Sequence, residues 1–448
     1  MRKRVLALAL AVAFPAAYAQ APSGVELYGI VDIGFESVDN GAVNVNRITS
    51  GISTGSRWGI RGREDLGGGY AAIFTLESRI EIDTGEVRNN GAIYYCGTPV
   101  ACPGVTLVSP LPPAVAPAVT AGINAVNAAL LAGVSTVNPP GALFDRQAFA
   151  GLITPFGAVL GGRQYTPAYE VQVKFNSFAD SFAGNPGQLA AINIRANNAI
   201  QYRAELKGFT LAAMYGFGGT EGSRNERSAP PTDGDDFYGL NLQYATQAFG
   251  VGTAYQVNRV VTFAKPTENN KGLQTFNVGG WVALGDFRLY GLYLQSKNDN
   301  PVLTPADIQN LVVGSGGNLA AITATIAGLP LNRFDVNAMR GIAGATDMNL
   351  YHLGAQWTVG RHQLLASYAY ANDSSRSPWA TADATTQSFG LAYYYNFSKR
   401  TALYAAAALA NNDDQARIAL GAACCTGGWT TGWGEDSRSL QLGMRHSF

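Results

Sequence analysis

The chain has 448 residues, 14% of them charged, with 31 basic against 31 acidic side chains and 53 glycines. A soluble globular protein carries about 25% charge, and a balance of zero offers no basic field, so nucleic acid is excluded as a partner. With 47% hydrophobic residues, 21 Tyr and 20 Phe the chain is not disordered, yet beyond its start no apolar run approaches the ~20 residues of a membrane-crossing helix.

Arg2, Lys3 and Arg4 open the sequence, Val5 to Phe14 is a short apolar run, and Ala17-Tyr18-Ala19 is a small-x-small cleavage site. This predicts a secretory signal peptide over residues 1–19 and an exported mature chain from 20 to 448. Loss of the leader removes three cations and leaves the remainder slightly acidic. Export also places the four cysteines in an oxidising compartment.

The mature chain then reads as short segments of period two. Tyr238, Leu240, Leu242 and Tyr244 alternate with Gly239, Asn241, Gln243 and Ala245. Tyr351, Leu353, Ala355, Trp357 and Val359 alternate with His352, Gly354, Gln356 and Thr358, and the C-terminal segment sets Leu440, Leu442, Met444, His446 and Phe448 against Gln441, Gly443, Arg445 and Ser447. Side chains two apart share a face of a strand. A soluble sandwich would bury the apolar face, whereas a membrane barrel turns it to lipid and keeps the polar face in the lumen. Three features favour the barrel. The segments are longer than the five or six residues usual in soluble strands. The polar face carries arginines. Aromatics crowd the segment ends, as at Tyr393, Tyr394, Tyr395 and Phe397.

Tight turns, such as Leu66 to Gly69, Pro155 to Gly157 and Gly285-Asp286, alternate with long polar connections. About sixteen strands follow, an even number as an up-and-down bacterial barrel needs. They start near Glu26, Ser56, Tyr70, Phe144, Ala158, Asn197, Phe209, Asp235, Gly250, Leu273, Arg288, Asp347, His362, Thr385, Thr401 and Glu435. An open sheet edge is excluded in hydrocarbon, so the first strand must pair with the last. The expected fold class is all-β, a single transmembrane antiparallel barrel.

Parity assigns the lumen face. If Trp58 and Ile60 point out, Arg57, Arg61 and Arg63 point in. If Phe74 and Leu76 point out, Glu77, Arg79 and Glu81 point in. If Ile200 and Tyr202 point out, Gln201, Arg203, Glu205 and, further back, Arg195 point in. Arg146 and Arg163 are left open, because Arg146 shares the parity of Ala148, Ala150 and Leu152.

Three stretches carry a family likeness: Leu27-Tyr28-Gly29-Ile30-Val31-Asp32; Gly55-Ser56-Arg57-Trp58-Gly59-Ile60-Arg61-Gly62; and Asp145-Arg146-Gln147-Ala148-Phe149-Ala150-Gly151-Leu152. With Gly162-Arg163-Gln164-Tyr165-Thr166-Pro167 and the terminal Phe448, the mature chain resembles the Gram-negative general diffusion porins, most nearly their beta-proteobacterial type. The resemblance implies a homotrimer of sixteen-stranded barrels in the outer membrane, among lipid and lipopolysaccharide, each passing small hydrophilic solutes and ions passively. It implies a third external loop folded into the pore, here residues 164–194, and Phe448 as the signal read by the barrel-assembly machinery. Arg57, Arg146 and Arg195 fall at the family's basic constriction positions, while the basic position of the first strand is Ile30 here. Arg61, Arg79 and Arg163 are further candidates. Of the loop residues Glu170, Lys174 and Asp180, Asp180 is expected to be the acid facing the arginines. More wall arginines than loop acids predicts weak anion preference.

No enzyme constellation, metal set or cofactor motif stands out. The three histidines, His352, His362 and His446, are scattered. Cys96 with Cys102 and Cys424 with Cys425 lack zinc spacing; a Cys96–Cys102 bridge is favoured, and a cross-loop pairing stays open. Two insertions, at 85–142 and 299–346, each with the pattern of a short amphipathic helix, are read as a packed external cap or trimer contact, or as a lid that makes the channel gated or substrate-specific.

Overall fold

The computed structural model describes residues 23–41, 44–87, 143–190, 192–217, 236–258, 273–298, 346–374, 383–416, 418–421, 428–430 and 434–448. The leader, nearly all of both insertions and the four cysteines lie outside them.

The strands in order are β1 (Gly24–Asp39), β2 (Asn44–Ser50), β3 (Arg57–Gly67), β4 (Tyr70–Arg79), β5 (Gln147–Thr154), β6 (Gly157–Tyr165), β7 (Arg195–Leu206), β8 (Phe209–Gly216), β9 (Phe237–Ala245), β10 (Phe249–Asn258), β11 (Leu273–Leu284), β12 (Phe287–Asn298), β13 (Thr346–Val359), β14 (His362–Asp373), β15 (Ala384–Asn396), β16 (Thr401–Asn412), the two-residue β17 (Ile418–Ala419) and β18 (Gly428–Trp429), and β19 (Ser437–Ser447). The helix α1 (Pro167–Lys174) lies between β6 and β7. Each barrel strand pairs antiparallel with its neighbours, and β1 meets β19 from Ile30↔Ser447 to Asp39↔Arg438. The described strands thus close on themselves, as a sheet in hydrocarbon requires. The β3–β4 hairpin shows why its turn is glycine-rich: Gly67, Gly68 and Gly69 all hold positive φ, at 79°, 62° and 83°.

The second strand, β3, starts at Arg57 beside its expected start near Ser56, and β2 is an added piece ahead of it. β2 pairs with the Ile33–Asp39 half of β1 and β3 with the Gly24–Ile30 half, so the two share one strand position and the barrel has sixteen. Residues 51–56 leave the sheet between them. They fold back on Asp32, whose Oδ1 accepts from the Ser53 amide at 3.2 Å and Oδ2 from the Thr54 amide at 3.3 Å. Tyr404 on β16 donates its hydroxyl to the same Oδ1 at 2.7 Å.

The alternation sorts the wall as expected. Leu240, Leu353 and Leu440 are 50%, 66% and 50% exposed, while Asn241, His352 and Gln441 are buried on the other face. Aromatic rings collect at both ends. Tyr244 lies 4.5 Å from Phe209 and 5.8 Å from Phe249 at the tight-turn end. Tyr351 lies 5.2 Å from Tyr293 and 6.3 Å from Tyr370 at the other. An exposed apolar band between aromatic belts matches a hydrocarbon slab with its two interfaces.

Candidate functional site

The described residues of the β6–β7 connection, 166–190 and 192–194, pack on the wall face opposite the exposed apolar band. Its neck is closed by Thr166, whose amide donates to Ile194 O at 2.9 Å and whose hydroxyl donates to Asn193 O at 2.6 Å. Pro167 opens α1, where its missing N–H costs nothing. Amides of three adjacent strands then cradle the helix start. Asn241 of β9 donates to Pro167 O at 3.2 Å, Gln256 of β10 accepts from the Ala168 amide at 3.0 Å, and Asn277 of β11 donates to Ala168 O at 2.7 Å. Phe175 sits over Gly252 and Gly279; a Cβ at Gly279 would lie 2.7 Å from Phe175 Cβ. Farther along, Phe178 and Phe182 pack with Ile52, Tyr394 and Tyr404, and the Phe182 amide donates to Ile52 O at 3.0 Å. The displaced 51–56 segment thus meets the connection inside the barrel.

Arginines gather on the wall from β3 to β7. Arg57 and Arg79 are directly paired across β3 and β4. Arg146 Nε donates to Glu77 Oε1 at 2.8 Å, Arg57 lies 3.9 Å from the same oxygen, and Tyr28 donates to Glu77 Oε2 at 3.1 Å. Arg146 also reaches Tyr165 Oη at 3.0 Å, and Arg195 reaches it at 3.3 Å while lying over the Tyr165 ring at 4.8 Å. Tyr165 stacks on Tyr169 at 5.1 Å, and Tyr169 donates to Asp180 Oδ2 at 3.2 Å. The Asp180 carboxylate is thereby linked to the arginines through two stacked tyrosines. Burial, with Asp180 second, raises the Tyr169 phenol well above its ordinary range, so it stays a donor.

Other candidates take different partners. Arg163 donates to Asp145 O at 2.6 Å and also to Asn197; the Arg79 amide donates to Asp145 Oδ1 at 2.8 Å, and its guanidinium pairs with Glu81. Arg61 stands apart: it pairs with Glu26 at 2.8 Å and lies over the Tyr28 ring at 5.0 Å. Glu170 holds Arg203 at 3.0 Å, and Arg203 also meets Glu205 at 3.0 Å. Burial, then Arg203, pushes the nearby Lys174 ammonium below its ordinary range. Phe448 sits beyond the closing seam: its amide donates to Gly29 O at 3.1 Å and its carbonyl accepts from the Gly29 amide at 3.2 Å.

Strand parity puts Glu77 and Arg203 on the lumen face but does not make them the partners of Arg146 and Glu170. The signal for Glu77 was register, since it stands opposite Gly59, which stands opposite Tyr28. For Tyr165 and Tyr169 no pattern pointed to the stack, because the chain leaves the sheet between them. The arrangement holds five guanidiniums, of Arg57, Arg79, Arg146, Arg163 and Arg195, against the carboxylates of Glu77, Glu81, Asp145 and Asp180. Fixed charges lining a wall of this kind act on passing ions.

A sequence model described as Gram-negative porin matches residues 7–415. The chain is 28% identical over 465 aligned positions to outer membrane porin protein 32 of Delftia acidovorans, covering 100% of both. It is 26% identical to an outer membrane porin protein of Bordetella pertussis, covering 92% of this chain and 95% of that one. Among solved structures, an anion-selective porin from Comamonas acidovorans superposes with a TM-score of 0.61 at 22% identity, covering 95% of this chain and 100% of the other. The trimer form of OmpT from Vibrio cholerae superposes with a TM-score of 0.55 at 14% identity, covering 96% and 100%.

Proposed function

The chain belongs to the Gram-negative porin family, an outer-membrane channel protein, and from that premise we propose that its lumen passes small hydrophilic solutes and ions passively with a weak preference for anions. One observation supports the preference above others: Arg57, Arg146 and Arg195 converge on Tyr165 and Glu77, facing a connection whose nearest acid is Asp180. In this reading the β6–β7 connection is the constriction loop. The guanidiniums set the field, and neighbouring carboxylates keep it from trapping an anion, because conduction needs binding loose enough to leave. Solute moves down its own gradient, with no chemical step.

The barrel works as a homotrimer among outer-membrane lipid and lipopolysaccharide, and Phe448 serves the barrel-assembly machinery. A cleaved leader over residues 1–19 delivers the chain.

The test is the reversal potential of the purified protein in a planar bilayer across a potassium chloride gradient. An anion-preferring sign is expected. Arg195→Gln lowers the anion-to-cation permeability ratio about two- to five-fold, the equivalent of ~0.4–1 kcal/mol. A clear cation preference in the unaltered protein overturns the reading.

A further inference from the structure

His352 lies on β13 with its ring on the lumen side, 2% exposed. Both ring nitrogens are committed. Nδ1 is 3.0 Å from Tyr368 O of β14, so it carries the hydrogen of that bond. Nε2 accepts the Ser177 amide at 3.3 Å, so it must present a bare lone pair. Only one neutral tautomer satisfies both. The same stretch is tied down beside it: Ser177 donates its hydroxyl to Ala366 O at 2.7 Å, and Ser367 donates to Gly184 O at 3.0 Å. Gly354 makes the approach possible, since a Cβ there would lie 2.8 Å from His352 Nε2. These contacts hold the constriction loop midway between its helix cradle and its clasp on Ile52.

We propose that His352 is an acid-sensitive positioning residue, whose neutral imidazole holds the midpoint of the constriction loop to the wall and whose protonation at Nε2 releases it. The inference rests on the channel reading above. A proton on Nε2 sets one donor against another at the Ser177 amide, so the bond is lost. The neighbouring elements set other groups around the ring. On β12 it stands in register with Leu292; Tyr290 donates to Gln356, and Arg288 stacks over Trp281. On β14 it faces Ala369, with Tyr368 turned to Gln387 and Tyr370 beside Tyr351. On the loop, Asp180 is held by Tyr169, and Lys174 lies over Phe175. On β13 itself Asp347 pairs with Lys297 at the strand end. Each carboxylate among these described residues is thus engaged elsewhere. A released loop lets water accept from both ring nitrogens. The docked loop therefore excludes a proton that the released loop admits, and acid shifts the population toward release.

Single-channel recording from about pH 7.5 down to about pH 4.5 tests this. In the unaltered protein, steady current at neutral pH gives way to more frequent sublevel steps in acid, rising at most about tenfold per pH unit, the limit for one proton. His352→Gln can place its oxygen toward Ser177 and its amide nitrogen toward Tyr368 O without titrating. It is expected to keep the neutral current and to lose the acid response, while His352→Ala steps at every pH. An acid response unchanged in His352→Gln, or a flat profile in the conducting unaltered protein, overturns the proposal. Absence of any channel at neutral pH overturns the channel reading instead. Should His352→Gln not assemble, amide exchange in the unaltered trimer decides. After correction for intrinsic rates, acid must lower protection at residues 175–184 relative to 167–172, and equal protection overturns the proposal.

Discussion

Arg146 and Glu77 form an ion pair of 2.8 Å in which both side chains are almost wholly buried, at 6% and 5% exposure. The pair joins β4 to the residue just before β5 and lies beside Arg57. Glu77 therefore has two effects, one on the barrel wall and one on the charge of the pore.

Glu77→Gln separates them. Removing one partner of a buried pair leaves an uncompensated guanidinium, at a cost of up to about 3 kcal/mol, reduced by lumen water. The expected result is a lower unfolding temperature in detergent together with a stronger anion preference. A reversal potential that moves toward cations would contradict the charge argument.

Gly279→Val tests the seat of α1. A Cβ at Gly279 meets Phe175 and Leu292 at 2.7 and 2.9 Å, and backbone carbonyl Gly291 O at 3.2 Å, so the helix end must shift. Overpacking of this kind costs about 1–3 kcal/mol. Lower thermal stability and an altered single-channel conductance are expected, whereas Gly291→Ala, where a Cβ meets nothing within 4 Å, should leave conductance unchanged.

Lys174 predicts an alkaline limb. Burial, followed by Arg203, holds its ammonium below the ordinary lysine range, so it loses its charge before a solvated lysine does, on the way up to pH ~10.4. The lost charge is positive, so anion preference falls as pH rises toward that value. The folded chain releases the proton earlier than the unfolded one, so this group's contribution to stability rises with pH over the same window. Permeability ratios at stepped pH for Lys174→Met should lack this limb.

Deleting Phe448 removes a two-bond rung with Gly29 at the closing seam. Its ring also covers Gly29, where a Cβ would collide with it. Heat-modifiability on gels should show a lower transition temperature and less folded protein; an unchanged transition would place the whole role of Phe448 outside the folded barrel.

The wall was legible because period two is a local property. Leu240 and Asn241 had to face opposite ways whatever the rest of the chain did, and closure followed from the cost of an open edge in lipid. The second strand was only half legible: Gly51 to Ser56 breaks the alternation, and Asn44 to Ser50 becomes a strand by pairing with β1. Arg146 was unreadable by parity because it precedes β5, where alternation has no hold.

Composition, alternation and turn spacing by themselves determined a sixteen-stranded membrane barrel with arginines inside. Those quantities depend on neighbours one or two residues away. Only the tertiary structure decided that Glu77 compensates Arg146, that Tyr169 links Asp180 to the cluster, and that His352 receives Ser177 from 175 residues away. Such contacts are set by where a connection leaving the sheet comes to rest against the wall, and no periodicity encodes that.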